Sequence, residues 1–162
     1  MPRQSAGLLM YRWREQRLEV LLVHPGGPFW ANKDLGAWSI PKGEYLNGEA
    51  AFDAARREFQ EETGWTAEGE FLSLGEVQQS GHKRVSAWAF AGDGDPELVR
   101  SNHCEIEWPP RSGRRMQIPE VDRAAWFSIE EARERILQGQ RPFIDRLGVA
   151  VGKERERLSS TC

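Results

Sequence analysis

The sequence feature that most constrains the fold is the stretch GEYLNGEAAFDAARREFQEETGW, which begins at Gly43. It predicts an amphipathic helix from about Gly48 to Thr63. Asn47 is the predicted N-cap, and Gly64 is the predicted glycine that ends the helix. The arc of the helix that includes Phe59 is expected to pack in the core.

Three glutamates crowd the end of this helix. Glu58, Glu61 and Glu62 stand at positions i, i+3 and i+4, so at about 100° per residue they project from one face. Such like charges repel, and the helix dipole disfavours carboxylates near a C-terminus. A solvated acidic face is the ordinary interpretation, but the small alanines along the same arc leave these carboxylates unshielded. A divalent cation would compensate the charge, and oxygen ligands favour Mg²⁺ or Mn²⁺ over Zn²⁺.

Short apolar runs on both sides of the helix predict β-strands. SAGLLMYRW and LEVLLVHP form a predicted N-terminal hairpin, EFLSLGEVQQ and KRVSAWAFAG a second pair turned at SGH, and RAAWF a last strand. Ser128 is the predicted cap of the next helix, and Pro142 opens a final amphipathic segment. From Asp93 to Pro119 the pattern dissolves into Gly, Pro and charged residues, interrupted by EIEW. The predicted fold class is α/β, an α/β/α sandwich with a mixed β-sheet.

Length and composition fit one domain. The 162 residues are 39% hydrophobic and 29% charged, and we expect a single domain over residues 1–150 and a frayed tail over residues 151–162. The net charge of −3 argues against nucleic acid as a partner, and no apolar run approaches the length of a membrane span. Cys104 and Cys162 make a poor disulfide framework, so we expect a cytoplasmic protein. The sequence leaves the oligomeric state open.

The helix and its flanks resemble a known motif. Gly43, five residues, Glu49, seven residues and then REFQEETGW is similar to the Nudix box, G-x5-E-x7-R-E-U-x-E-E-x-G-U, in which U is an apolar residue. Seven fixed positions match: Gly43, Glu49, Arg57, Glu58, Glu61, Glu62 and Gly64. Seven such matches arise by chance about once in 10⁹ starting positions. The order of strands extends the likeness to about residues 5–147, so the chain is identified as a member of the Nudix hydrolase family.

This resemblance implies a reaction and a metal. Nudix enzymes hydrolyse a nucleoside diphosphate linked to another group, by in-line attack of water on phosphorus. By likeness, Glu58 and Glu62 are the principal metal ligands, Glu61 is a further ligand, and Lys42 contributes its backbone carbonyl. The implied cofactor is Mg²⁺, with Mn²⁺ as a possible substitute.

Two box residues have supporting roles in this interpretation. Arg57 resembles the residue that orients the acidic face, and we count it with the catalytic set. Glu49 falls nearly opposite Glu58 on the helical wheel, which favours anchoring of the loop–helix junction over metal ligation.

A further glutamate is expected from outside the box. Many family members supply one from a loop, six residues before a Trp of the last strand, and Glu120 stands six residues before Trp126. Glu120 is therefore the predicted fourth ligand or general base. Glu105 and Glu107, in the same segment, compete with it for this role, and Glu58 and Glu61 are the alternatives for the base.

Two lysines are predicted to contact phosphate. AWSIPKG resembles the W-x-x-P-K-G that precedes the box in hydrolases of diadenosine tetraphosphate and related polyphosphates, and Lys42 lies in it. Lys83, five residues before Trp88, resembles a phosphate-contacting lysine of the same group. The window GHKR lacks the Tyr of some bacterial dinucleoside polyphosphate enzymes and the Pro of the ADP-ribose subgroup. The expected substrate is a nucleoside or dinucleoside polyphosphate.

Aromatic and basic residues in the irregular segments are further candidates. Trp30, beside PGGPF, is the predicted substrate-stacking residue, and Trp108 is a second one. The most basic part of the chain is the group Arg111, Arg114 and Arg115, which either contacts a nucleotide or forms a solvated loop.

Two other functions are compatible with this kind of fold. A catalytically weak nucleotide-binding or regulatory module is the main alternative, although such modules tend to lose box carboxylates and this chain keeps all of them. An isomerase of prenyl diphosphates would need a catalytic cysteine, and neither Cys104 nor Cys162 stands at a convincing position.

Overall fold

A mixed β-sheet organises the fold. The computed structural model describes residues 3–79 and 81–159. Over those residues the strands are β1 (Arg3–Arg14), β2 (Arg17–Pro25), β3 (Lys42–Glu44), β4 (Phe71–Gln79), β5 (Lys83–Ala91), β6 (His103–Glu107), β7 (Arg115–Pro119) and β8 (Val121–Ser128), and the α-helices are α1 (Ala51–Thr63), α2 (Ile129–Arg135) and α3 (Arg141–Ser159). The main sheet has the order β4-β5-β1-β2-β8, and β3 pairs with β1. Strands β1 and β5 run parallel, and the other pairs in this sheet are antiparallel.

Helices cover both faces of this sheet. Leu8 and Phe59 belong to the core between the sheet and α1, whereas Leu9 and Phe143 belong to the core between the sheet and α3. Strand β1 is buried over seven consecutive residues because alternate side chains enter these two cores. The predicted α/β/α sandwich with a mixed sheet is confirmed, as are the N-terminal hairpin and the pairing of β4 with β5.

Helix α1 ends as predicted but begins later. Gly64 adopts φ 82°, which favours glycine, and its N–H donates to the carbonyl of Gln60. Asn47 is not the N-cap: the helix begins at Ala51 after Ala50, whose side chain makes no capping hydrogen bond. The N–H of Glu49 instead donates to the carbonyl of Leu46, so a turn occupies the predicted first residues of the helix.

The C-terminal helix extends past the predicted domain boundary. Helix α3 continues from Arg141 to Ser159, and Val151 is buried in the core, so the expected tail begins inside the helix. Cys162 lies outside the described residues. Ser128 caps α2 as predicted, since its side chain accepts a hydrogen bond from the N–H of Glu131. Within the described residues, no helix is long and apolar enough to cross a bilayer.

The segment from Asp93 to Pro119 has more structure than the sequence analysis predicts. Strands β6 and β7 form an antiparallel hairpin, separate from the main sheet, in which Cys104 is opposite Ile118. The signal was present, because HCEIE alternates polar and apolar residues. Most side chains of β6 and β7 are exposed, so the hairpin has little of the burial that usually accompanies such an alternation.

Candidate active site

Three carboxylates from two distant parts of the chain converge. One carboxylate oxygen from each of Glu58, Glu62 and Glu120 lies within 4.8 Å of the others. Glu58 and Glu62 lie one turn apart on α1, and Glu120 is the single residue between β7 and β8. We refer to these three residues as the carboxylate cluster.

The glutamates that compete with Glu120 lie elsewhere. Glu105 forms an ion pair with Arg115 across the β6–β7 hairpin, with an N–O distance of 3.5 Å. Glu107 accepts a hydrogen bond from the backbone N–H of Arg111 in the same hairpin. Of the three loop glutamates considered from sequence, the structure brings Glu120 to the helix.

Strand β3 closes one side of the carboxylate cluster. Gly43 packs against Glu58 so closely that a β-carbon on Gly43 would overlap the carboxylate. The backbone N–H of Lys42 donates a 3.4 Å hydrogen bond to Glu62. The first glycine of the box is therefore required by the approach of β3 to α1.

Arg57 joins the carboxylate cluster to the loop before α1. Its Nε and Nη2 donate to the two carboxylate oxygens of Glu49, over 2.9 and 3.0 Å. Its Nη1 donates to Glu58 over 2.8 Å and to Glu61 over 3.2 Å. The bonds to Arg57 lower the pKa of Glu49. Glu49 thus contacts Arg57 at the loop–helix junction and is not a member of the carboxylate cluster.

Burial and mutual repulsion disfavour full ionisation of the carboxylate cluster. Burial raises the pKa of Glu62 well above its usual range, and the negative charges of Glu120 and Glu58 add to this effect. Burial also raises the pKa of Glu58 and of Glu120, and in both cases the charge of Glu61 adds to it. A hard divalent cation fits this set, because the donors are carboxylate oxygens and attraction to a cation would offset their mutual repulsion.

The two predicted phosphate-binding lysines lie close together. Burial lowers the pKa of Lys42, and the positive charge of Lys83 lowers it further, while the charge of Glu62 opposes this effect. Lys42 lies on β3 and Lys83 at the start of β5, on opposite edges of β1. Lys42 thus adjoins Glu62 of the carboxylate cluster, and Lys83 lies near Lys42.

The loop between β2 and β3 contacts the backbone of Glu120. The N–H of Gly26 donates to the carbonyl of Glu120 over 3.0 Å.

Trp30 in this loop is half-buried, and its ring meets that of Phe29 edge-to-face at 5.0 Å. Lys33 Nζ lies 3.6 Å from the centroid of Phe29 and 5.3 Å from that of Trp30. Phe29 and Lys33 were not predicted from the sequence, although Phe29 belongs to PGGPF and Lys33 follows Trp30 by three residues.

Trp108 and the arginine group lie at the other end of the β6–β7 hairpin. The N–H of Trp108 donates to the carbonyl of Arg114 over 3.0 Å, which closes the hairpin. The side chains of Arg111, Arg114 and Arg115 are exposed. Nothing in the described contacts joins them to the carboxylate cluster.

The segment 100–102 connects the end of α1 to Glu120, and sequence reasoning missed it. The N–H of Asn102 donates to the carbonyl of Glu61 over 2.8 Å, and the carbonyl of Asn102 accepts from the N–H of Glu120 over 2.9 Å. Because these are backbone bonds, no residue type in the sequence signals them.

Comparison with known proteins gives relatives by sequence. The profile of the NUDIX domain family matches residues 1–147. The chain is also 35% identical over 88 residues to an uncharacterized 17.7 kDa protein from the e-segB intergenic region of Enterobacteria phage T4. That match covers 52% of this chain and 57% of the phage protein.

Solved structures share the fold. An Ap4A hydrolase of C. elegans, in a binary complex, is 22% identical, with a TM-score of 0.63, over 93% of this chain and 98% of the hydrolase. A mutT/nudix family protein of Listeria innocua is 19% identical, with a TM-score of 0.64, over 95% of this chain and 97% of that protein. The expected membership of the Nudix hydrolase family is confirmed: because the profile spans most of the chain and includes the complete box, this protein belongs to the NUDIX domain family.

Proposed function

We propose that this protein is a metal-dependent pyrophosphohydrolase that cleaves a nucleoside or dinucleoside polyphosphate by in-line attack of water on phosphorus. The observation that carries the proposal is the convergence of Glu58, Glu62 and Glu120 within 4.8 Å. Such a group is costly without a cation, because burial and repulsion raise the pKa of each carboxyl group.

The proposed cofactor is Mg²⁺, for which Mn²⁺ can substitute. Glu58 and Glu62 are its proposed principal ligands, and Glu61 and the backbone carbonyl of Lys42 are further ones. When bound, such an ion lowers the pKa of a water molecule and neutralises charge that develops on phosphate oxygens. Arg57 orients Glu58 and Glu61, because its Nη1 contacts both.

Glu120 has two proposed roles, as a fourth ligand or as the general base. A carboxylate whose pKa is raised accepts a proton more readily at neutral pH, and burial raises the pKa of Glu120. Glu58 and Glu61 are the alternatives for the base. A Glu120→Gln variant separates the two roles: loss of the base lowers kcat with metal affinity retained, whereas loss of a ligand lowers both.

The proposed substrate is a chain of phosphates with at least one nucleoside. Lys42 adjoins the carboxylate cluster and Lys83 lies near Lys42, and two neighbouring positive charges suit several phosphate groups in succession. Trp30 is the proposed stacking residue for the base, since its loop is bonded to the backbone of Glu120 through Gly26. The C. elegans protein that shares the fold is an Ap4A hydrolase, which supports this substrate class. We propose a cytoplasmic location for the enzyme and one catalytic domain over residues 1–150.

A substrate screen tests the proposal. Purified protein is incubated with Mg²⁺ and, separately, dinucleoside polyphosphates, nucleoside triphosphates (including oxidised ones), ADP-ribose and nucleotide sugars, and the products are separated by anion exchange. We expect turnover of a polyphosphate, and loss of at least about 100-fold in Glu62→Gln. Glu105→Gln, which removes a glutamate of the β6–β7 hairpin, is the matched control and should retain activity.

Two results contradict the proposal. Turnover by Glu62→Gln at the parental rate excludes the assignment of Glu62 as a metal ligand. No turnover of any substrate, with nucleotide binding retained, favours the alternative of a nucleotide-binding or regulatory module.

A further inference from the structure

The backbone around Glu120 is held on both sides. Its N–H donates to the carbonyl of Asn102 over 2.9 Å, and its own carbonyl accepts from the N–H of Gly26 over 3.0 Å. The segment that provides Asn102 is itself bonded to the end of α1. The N–H of Arg100 donates to the carbonyl of Thr63 over 2.9 Å, and the N–H of Asn102 donates to the carbonyl of Glu61 over 2.8 Å. These bonds satisfy carbonyls in the last turn of α1, which have no partner within the helix.

Ser101 adds a side-chain hydrogen bond to the peptide unit that joins Glu120 to Val121. Its Oγ accepts from the N–H of Val121 over 3.0 Å and lies 3.1 Å from the carbonyl oxygen of Val121. The same Oγ lies 3.0 Å from the carbonyl oxygen of Asn102. A serine hydroxyl has one proton, so it donates to one of these carbonyls while it accepts from Val121. The acceptor role of Ser101 therefore holds the peptide that follows Glu120.

The carboxylate of Glu120 needs such restraint because its neighbours repel it. One carboxylate oxygen of Glu120 lies within 4.8 Å of one oxygen of Glu58 and of one oxygen of Glu62, so their negative charges repel one another. Glu120 stands in the single-residue connection between β7 and β8, where repulsion would move a free backbone away from α1. We propose that Ser101 is a positioning residue that fixes the backbone at Val121 and so keeps the Glu120 carboxylate beside Glu58 and Glu62. This inference rests on the proposed function and takes Glu120 in the first of its two proposed roles, as a ligand of the metal.

Mn²⁺ binding measured by calorimetry tests the inference without any need for turnover. Ser101→Ala should weaken Mn²⁺ binding about fivefold, because it removes the acceptor for the Val121 N–H, and Ser101→Thr should restore the affinity to within about twofold. In a Glu120→Gln background, Ser101→Ala should change the affinity by less than about twofold, because the residue that it positions has lost its charge. Ser128→Ala, which removes a hydroxyl that caps α2, should leave Mn²⁺ binding unchanged.

Each outcome decides the question. If Ser101→Ala weakens binding equally in the parent and in the Glu120→Gln background, Ser101 acts on the whole fold and the inference is overturned. Parental affinity in Ser101→Ala overturns the inference alone, whereas absence of Mn²⁺ binding by the parent overturns the proposed function as well. If Ser101→Ala does not fold, Ser101→Cys, whose thiol is a weaker acceptor, gives the same comparison with an expected change of about twofold.

Discussion

Gly43 on β3 packs directly against the carboxylate of Glu58 on α1. A β-carbon at position 43 would lie within 2.5 Å of the carboxylate carbon and of both oxygens of Glu58. Because real β-carbons essentially never approach other atoms so closely, any side chain at this position must displace Glu58 or β3. The box glycine is thus a condition for the geometry of the carboxylate cluster.

We therefore expect Gly43→Ala to lower kcat/KM and Mn²⁺ affinity at least about tenfold, because Glu58 must leave its place. Enzyme kinetics and calorimetry measure the two effects. Gly148→Ala is the matched control: nothing lies within 4 Å of a β-carbon there, and alanine in a helix interior stabilises by about 0.5–1 kcal/mol relative to glycine. Parental activity in Gly43→Ala would show that the contact does not matter.

The sequence predicted those parts of the fold that depend on local pattern. The glycine that ends α1 and the serine that caps α2 are local signals, and Gly64 and Ser128 occupy the predicted positions. The helical spacing of the acidic residues placed Glu58 and Glu62 on one face, where the structure has them. Glu120 was identified by likeness to the family, since no local pattern relates it to a helix far away in sequence.

Other features depend on contacts that leave no local pattern. Asn47 carries the residue type of an N-cap, but a turn from Leu46 to Glu49 delays the helix to Ala51. The bonds of the segment 100–102 to α1 involve backbone groups, so residue types do not reveal them. The bond from Val121 to Ser101 joins residues 20 apart along the chain, and a lone serine in an irregular segment does not indicate it.

The raised pKa values of the carboxylate cluster predict how stability depends on pH without metal. Burial raises the pKa of Glu58, Glu62 and Glu120 above the usual value of 4.5, so the folded state binds more protons than the unfolded state above that pH. Ionisation of these groups therefore lowers the free energy of unfolding, and this loss of stability grows as the pH rises from about 4.5 through the folded-state pKa values. In EDTA, we expect Glu62→Gln to have a higher Tm than the parent, and the difference should be larger at pH 8 than at pH 5. Each 1 kcal/mol of stability gained by removal of the Glu62 charge corresponds to about 3 °C in Tm.

The control for this pH dependence is saturating Mg²⁺, which should raise the Tm of the parent and leave Glu62→Gln nearly unchanged. Calorimetric scans at both pH values measure the difference. A Tm for Glu62→Gln in EDTA that equals the parent's at pH 8 would contradict the prediction.

Arg57→Lys is expected to lower activity about 10–100-fold, because an ammonium group cannot make the two parallel bonds to Glu49 and the bond to Glu58 together. Loss of stability should be about 1 kcal/mol or less, since solvent screens these partly exposed groups. Kinetics and thermal unfolding give the two quantities. Arg56→Lys, a change at the adjacent exposed arginine, should retain activity, and equal losses in the two variants would exclude a special role for Arg57.

Lys83→Gln is expected to raise KM for a dinucleoside polyphosphate about tenfold and to change kcat less than about threefold. This pattern is expected because Lys42 and Lys83 are proposed to bind the phosphate chain equally in the ground state and in the transition state. The reason is the loss of one of two adjacent charges, since Lys83 lies close enough to Lys42 to add to the effect of burial on its pKa. Arg84→Gln is the control, because Arg84 is the next residue of β5 and its side chain points to the other face, toward Glu76 at 3.9 Å. The same KM in Lys83→Gln as in the parent would remove Lys83 from the substrate site.

Trp30→Ala tests whether the loop between β2 and β3 stacks on a base. Stacking on an aromatic side chain contributes about 1–3 kcal/mol per base, so we expect KM for a dinucleoside polyphosphate to rise about tenfold or more. The inhibition constant of inorganic tripolyphosphate, a competitive ligand that has no base, should change less than about twofold, and this difference separates stacking from a general loss of structure. Trp13→Ala is the matched control: Trp13 is 44% exposed near the end of β1, where Arg155 lies 4.5 Å from its ring centroid. An equal loss of affinity for the dinucleoside polyphosphate and for tripolyphosphate in Trp30→Ala would mean that Trp30 supports the core, against which it packs, and contacts no base.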